Sequence, residues 1–120
     1  MSMKPFTVFP ESRPRALNVV GEHITILAPK EATHGYEVFF QDGPDGSGPP
    51  PHSHPWDETF YLIRGDLEVG FDEKSMIAKP GTLVHLPAGT VHWFRCRRLS
   101  ASVTSKNGNY TTTRDLKAGR

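Results

Sequence analysis

The chain has 120 residues, enough for one domain built around one modest core. Eleven glycines and eleven prolines raise the turn content above average without reaching low-complexity composition, so a folded, turn-rich chain is expected. Lys and Arg number 14 against 13 for Asp and Glu, and a net charge of +1 gives no long-range attraction for nucleic acid or an anionic membrane. No apolar run reaches the roughly 18 residues of a membrane span, and the single cysteine, Cys96, has no internal disulfide partner. The first residues lack a charged segment followed by an apolar one, so the cytoplasm is the expected compartment.

A single domain over 1–120 is expected, with an N-terminal arm at 1–16, a barrel at 17–106 and a tail at 107–120. The arm is polar and carries Pro5, Pro10 and Pro14. Apolar alternation begins at 17–20, and only 30–34 is suited to a helical turn. Runs of β-branched and aromatic residues predict strands at 23–27, 35–41, 58–64, 66–71, 82–86, 91–97 and 99–105. Arg64, Gly65 and Asp66, and then Asp72, Glu73 and Lys74, form short polar breaks suited to hairpins. Lys79, Pro80 and Gly81, and Pro87, Ala88 and Gly89, read as turns. The tail has one β-prone run at 110–113 and is expected to be ordered by a partner subunit. Many short strands at close spacing, with little or no helix, predict an all-β barrel.

Three of the six histidines, His52, His54 and His92, occupy informative settings. On a strand His52 and His54 would face the same way, about 6.6 Å apart along the chain. Glu58 shares their parity and can add a carboxylate, while Asp57 beside it is expected to face solvent. His92 opens a strand on which His92, Phe94 and Cys96 share one face, and a barrel can bring it opposite the others. Three imidazoles and one carboxylate suit one divalent transition metal, Fe, Mn, Ni, Cu, Co or Zn, and leave coordination positions open for a small molecule. His23, His34 and His85 have no neighbouring ligand at strand spacing and are expected to stay outside this cluster.

These residues resemble a small single-domain cupin of RmlC-like type. The first cupin motif, G-x5-H-x-H-x3-E-x6-G, is matched by Gly46, His52, His54, Glu58 and Gly65. The second, G-x5-P-x-G-x2-H-x3-N, is matched by Gly81, Pro87, Gly89 and His92, with Cys96 where Asn usually stands. The motifs cover a little under half of the chain. Its wording around Pro49, Pro50, Pro51 and Glu58 is similar to quercetin-dioxygenase-like cupins. The resemblance implies a double-stranded β-helix, or jelly roll, holding a metal at its wider end on His52, His54, Glu58 and His92. It also implies pairing into a homodimer through edge strands and terminal arms.

Phe40, Phe60, Phe94 and Cys96 are candidate pocket residues, and equally candidates for core filler beside Leu62 and Leu86. Arg95, Arg97 and Arg98 form a basic cluster expected to face outward. Three functions remain open. One is a metal-dependent dioxygenase of a small phenolic or enol substrate, with Glu58 as proton acceptor. The second is a non-catalytic small-molecule-binding or sensing module, and the third an isomerase or epimerase. All three take a small-molecule partner, with neither nucleic acid nor membrane.

Overall fold

A computed structural model describes residues 4–108. After an arm with a short 3-10 turn at Pro10–Ser12, the chain forms β1 (Leu17–Val19), β2 (Glu22–Ala28), α1 (Lys30–Thr33), β3 (Tyr36–Gly43), β4 (Trp56–Phe71), β5 (Lys74–Ala78), β6 (Leu83–Leu86) and β7 (His92–Gly108). The arm lies along β2, α1 and β3, where Lys4, Pro5, Phe6 and Val8 face Leu27, Ala32 and Tyr36 across a shallow groove. The single helical turn ends at His34, whose left-handed backbone (φ 64°) stops it before Gly35. Residues 110–113 lie outside the described residues, and β7 continues through the first two positions of the predicted tail.

The strands form one antiparallel sheet in the order β1-β2-β3-β7-β4-β5, with β6 also paired to β4, curled into a jelly-roll β-barrel. Its backbone is the pairing of β4 with β7, which runs from Trp56↔Gly108 to Phe71↔His92. The first half of β4 pairs on its other edge with β6, and the second half with β5. Likewise β7 pairs with β3 over its second half. Beside its first half runs the loop between β3 and β4: Gly46 N donates to Cys96 O at 2.7 Å and Cys96 N to Ser47 O at 2.7 Å. That loop carries the first two histidines of interest.

Arg64, Gly65 and Asp66 do not form a hairpin. β4 passes straight through them, with register shifts between Leu62 and Asp66 marking an irregularity against β7. Gly65 takes φ 75°, and a Cβ there would press on the Leu99 carbonyl and on Ser100. The left-handed glycine therefore bends the strand instead of reversing it. Opposite it Arg98 (φ 59°) does the same for β7, so predicted strands 91–97 and 99–105 are one element. At the second predicted break a hairpin does form, through Asp72 and Glu73 with φ 52° and 61°. The two positive φ values are those that a tight hairpin turn needs. The strand after it, β5, is absent from the sequence reading because four of its five residues are exposed and only Ala78 is buried.

Phe60, Leu62, Leu67, Val69, Ala78, Val84, Leu86 and Cys96 form the buried core, with Phe71 and Phe94 packed against it. It fills the part of the barrel between β4, β5, β6 and the start of β7. Ile24, Phe39 and Trp56 are buried at the other end, where apolar walls surround a cavity rather than one another. No helix among the described residues is long and apolar enough to cross a membrane.

Candidate metal centre

Pro49, Pro50 and Pro51 hold the approach to His52 extended, since each fixes φ and restricts the residue before it. His52 then exchanges two backbone hydrogen bonds with His92, each 2.9 Å, which locks the loop to the first residue of β7. His54 is held by its carbonyl, which accepts from Gly89 N at 2.8 Å, and by Trp56, whose ring stacks on it at 4.4 Å and 4°. His52 and His54 thus stand on an irregular loop with one isolated bridge, not on the regular strand that their alternation suggested. The loop brings the rings closer than strand spacing would: centroids are 4.6 Å apart for His52 and His54, 4.4 Å for His52 and His92, and 5.1 Å for His54 and His92.

One nitrogen from each of these three rings lies within 4.8 Å of the others, an arrangement that could hold a metal ion. The tautomers favour it. His52 Nδ1 donates to the Pro50 carbonyl at 2.7 Å and His92 Nδ1 to the Thr90 carbonyl at 2.9 Å, so in each neutral ring Nε2 keeps a lone pair. His92 Nε2 is buried and meets no donor; the group facing it is the Glu58 carboxylate, 3.4 Å away. A buried acceptor without a donor is costly, and a cation at the centre of the cluster would satisfy it.

Glu58, on the first turn-free stretch of β4, brings Oε1 to 3.5 Å from His54 Nε2 and 3.4 Å from His92 Nε2. Burial alone would raise its pKa, but the His54 and His92 rings beside it and the charge of Lys106 outweigh burial and hold the carboxyl well below the usual range. His52 is shifted down chiefly by burial. For His92 burial also acts downward, yet the Glu58 carboxylate and the Thr90 carbonyl overcome it and raise the pKa. A lone-pair nitrogen and a carboxylate oxygen this close repel each other unless a proton or a cation lies between them. The donor set, three imidazoles and one carboxylate, fits a divalent transition metal.

Of the neighbours, Asp57 departs from expectation, while the remaining histidines and the arginines lie where the sequence put them. Asp57 is not a solvent-facing bystander: its Oδ1 accepts from Ala88 N at 2.9 Å and pins the turn leading to His92. His23 meets Asp42 at 3.2 Å and His85 meets Thr59 Oγ1 at 2.8 Å, both on the surface and away from the cluster. The exposed arginines are engaged outside the barrel, Arg97 with Glu68, Arg98 with Asp66, and Arg95 over the Trp93 ring.

A cavity of about 550 Å³ opens over the histidines, walled by Ile24, Phe39, Trp56 and Phe94. Phe94 is placed as the sequence suggested, whereas Phe40 is not: it sits on the opposite face of β3 under the Arg13 guanidinium, and Phe39 takes the inner position. Phe60 and Cys96 line only a small inner void of about 20 Å³ beneath the cavity. Burial raises the pKa of the Cys96 thiol. Sequence reasoning missed Glu22, Gln41 and Lys106, which also line the cavity. Lys106 was findable, because the inward parity of His92, Phe94 and Cys96 resumes at Ser100, Ser102, Thr104 and Lys106, all buried. Its ammonium lies 5.1 Å from the centres of both the Phe39 and Trp56 rings, and burial pushes its pKa down against the pull of Glu58 and Glu37.

Comparison with known proteins bears on the same region. A family model described as the cupin domain matches residues 38–101. Quercetin 2,3-dioxygenase of Bacillus subtilis (strain 168) is 32% identical over 74 residues, which are 61% of this chain and 22% of that protein, so the chain spans less than a quarter of that relative's length. Among solved structures, an RmlC-like cupin from Shewanella frigidimarina NCIMB 400 superposes with a TM-score of 0.78 at 15% identity, covering 97% of this chain and 99% of the other. KdgF from Halomonas sp. gives 0.77 at 18% identity over 91% of this chain and 97% of the other. Identities this low speak for the fold alone.

Proposed function

The chain belongs to the cupin family, and we propose that it is a metal-dependent dioxygenase of a small phenolic or enol substrate, with one divalent transition metal held by His52, His54, His92 and Glu58. The observation that carries this reading is the convergence of three imidazoles on one point, two with Nε2 lone pairs left available, beside a buried carboxylate under an apolar cavity. The partial match to a quercetin dioxygenase supports the choice of reaction. When bound, such a metal supplies open coordination positions and redox chemistry with dioxygen.

The protein's own residues would do the rest. Glu58, ionised and within reach of the cluster, accepts the hydroxyl proton of the phenol or enol. Phe39, Trp56 and Phe94 exclude water and give a flat ring an apolar slot. Lys106, cross-strand neighbour of Glu58, keeps a positive charge near the carboxylate. A cytoplasmic homodimer is the working form we propose.

Protein loaded with Fe, Mn, Ni or Cu should consume dioxygen in the presence of a flavonol, a catechol or a β-diketone. Glu58→Gln should keep much of its metal and lose turnover, because an amide can stay near the ion but cannot take the proton. Saturable binding and thermal stabilisation without oxygen uptake, with every metal and every compound class, would overturn the enzyme and leave a small-molecule-binding module.

A further inference from the structure

One wall of the cavity is polar, and it is built from residues that neither the metal nor the proton transfer uses. Glu22, the first residue of β2, is 3% exposed although it carries a carboxylate. Its Oε1 accepts from Gln41 Nε2 at 3.1 Å, and its Oε2 accepts from the Ser47 hydroxyl and, at 3.3 Å, from the Cys96 thiol. Gly43 makes room for it, since a Cβ there would overlap the Glu22 carboxylate and the Ser47 hydroxyl. A buried charge held by three donors from three chain segments is a rigid fixture.

What the fixture orients is Gln41. Gln41 pairs with Ile24 across β2 and β3 and shares the inward face with it, and both line the cavity that the histidines line. Because Glu22 only accepts, the Gln41 amide must turn its nitrogen to the carboxylate. Of its two N–H groups one is thereby engaged, leaving the other N–H and the carbonyl oxygen to meet a ligand. Facing the apolar walls of Ile24, Phe39, Trp56 and Phe94, a half-buried amide of fixed orientation discriminates between ligands. A substrate that satisfies it gains a hydrogen bond, and one that cannot leaves it unpaired.

We propose that Gln41, positioned by Glu22, is a substrate-recognition residue that reads a hydroxyl group other than the substrate's metal-binding oxygen. The substrate is therefore a polyhydroxylated ring compound rather than a simple phenol or enol. This inference rests on the dioxygenase reading for the orientation of the substrate, but its test does not depend on turnover.

The probes are 3-hydroxyflavone, which carries only the chelating hydroxyketone, and quercetin, which adds hydroxyls on both outer rings. Their affinities for metal-loaded protein are measured by calorimetry under nitrogen. Wild type should bind quercetin at least about tenfold more tightly, the scale of one unpaired buried polar group. Gln41→Leu should reduce that preference to under about threefold while leaving metal content unchanged. Glu22→Gln should reduce it as well, and partial retention in this variant with full loss in Gln41→Leu fits a positioning role. Equal affinities in wild type, binding of neither flavonol, or an undiminished preference in Gln41→Leu would overturn the proposal. The wild-type comparison decides even where a variant fails to fold. Discrimination without oxygen uptake would keep the recognition claim and sink only the dioxygenase.

Discussion

Whether three histidines can share one ion is decided at the level of single protons. The carbonyls of Pro50 and Thr90 each fix a proton on Nδ1, so His52 and His92 offer Nε2. His52→Ala should weaken metal binding by more than the roughly 10 to 100-fold typical of losing a group that merely supports a ligand. His85→Ala, whose ring is bonded to Thr59 on the surface, should leave metal content unchanged by elemental analysis. Equal loss in both variants would mean that the cluster is not the site. Acid should also release the ion, because each imidazole must be neutral to bind. His92 is raised by Glu58 and His52 lowered by burial, so as pH falls a competing proton reaches His92 before His52. Affinity should therefore rise with pH and collapse below about pH 6, measured by equilibrium dialysis. Full occupancy at pH 4.5 would contradict it.

The spacing of His52, His54, Glu58 and His92 makes the cluster legible in the sequence, because it is carried by residue type. Glu22 and Gln41 were not legible. No motif or ligand spacing marks either of them in the chain, and their meaning comes from Ser47, Cys96 and Gly43 brought to them by the barrel. Phe40 misled for a different reason: strand parity cannot be assigned from one aromatic when Phe39 stands beside it.

At the scale of elements, the two long strands determine where the site lies. β4 delivers Glu58 and β7 delivers His92, and their register with each other and with β3 lines up Glu37, Lys106 and Glu58 across three strands. Gly65 lets β4 bend without ending, which a polar tripeptide alone does not distinguish from a reversal. Gly65→Ala should cost on the order of 1 to 3 kcal/mol, from a positive φ and from contact with the Leu99 carbonyl and Ser100, read as a lowered denaturation midpoint. A neutral substitution would show that the bend is not held by glycine. β5 escaped sequence reading because an edge strand pairs through its backbone, and Lys74, Ser75, Met76 and Ile77 are exposed.

Over the whole molecule, the sheet leaves an apolar outer face. Tyr61 and Leu83 are paired across β4 and β6 and are 47% and 61% exposed, with Ile63 beside them at 44%. Exposed aromatic and aliphatic residues in one patch favour association. Sedimentation at micromolar concentration should give about twice the 13.4 kDa chain mass. A metal-bearing monomer would remove the dimer from the account without touching the site. Charge balance and composition bounded the partner classes from the sequence, but no composition reveals a cavity. Its volume follows from which side chains the curled sheet faces inward.

The most direct measurement is the metal content of protein purified without an affinity tag or added metal. The account predicts close to one first-row transition ion per chain in the wild type and its loss in His92→Ala, with the fold retained by circular dichroism. Wild-type protein that holds no such ion and takes up none on dialysis against Fe, Mn, Ni, Cu, Co or Zn would contradict it.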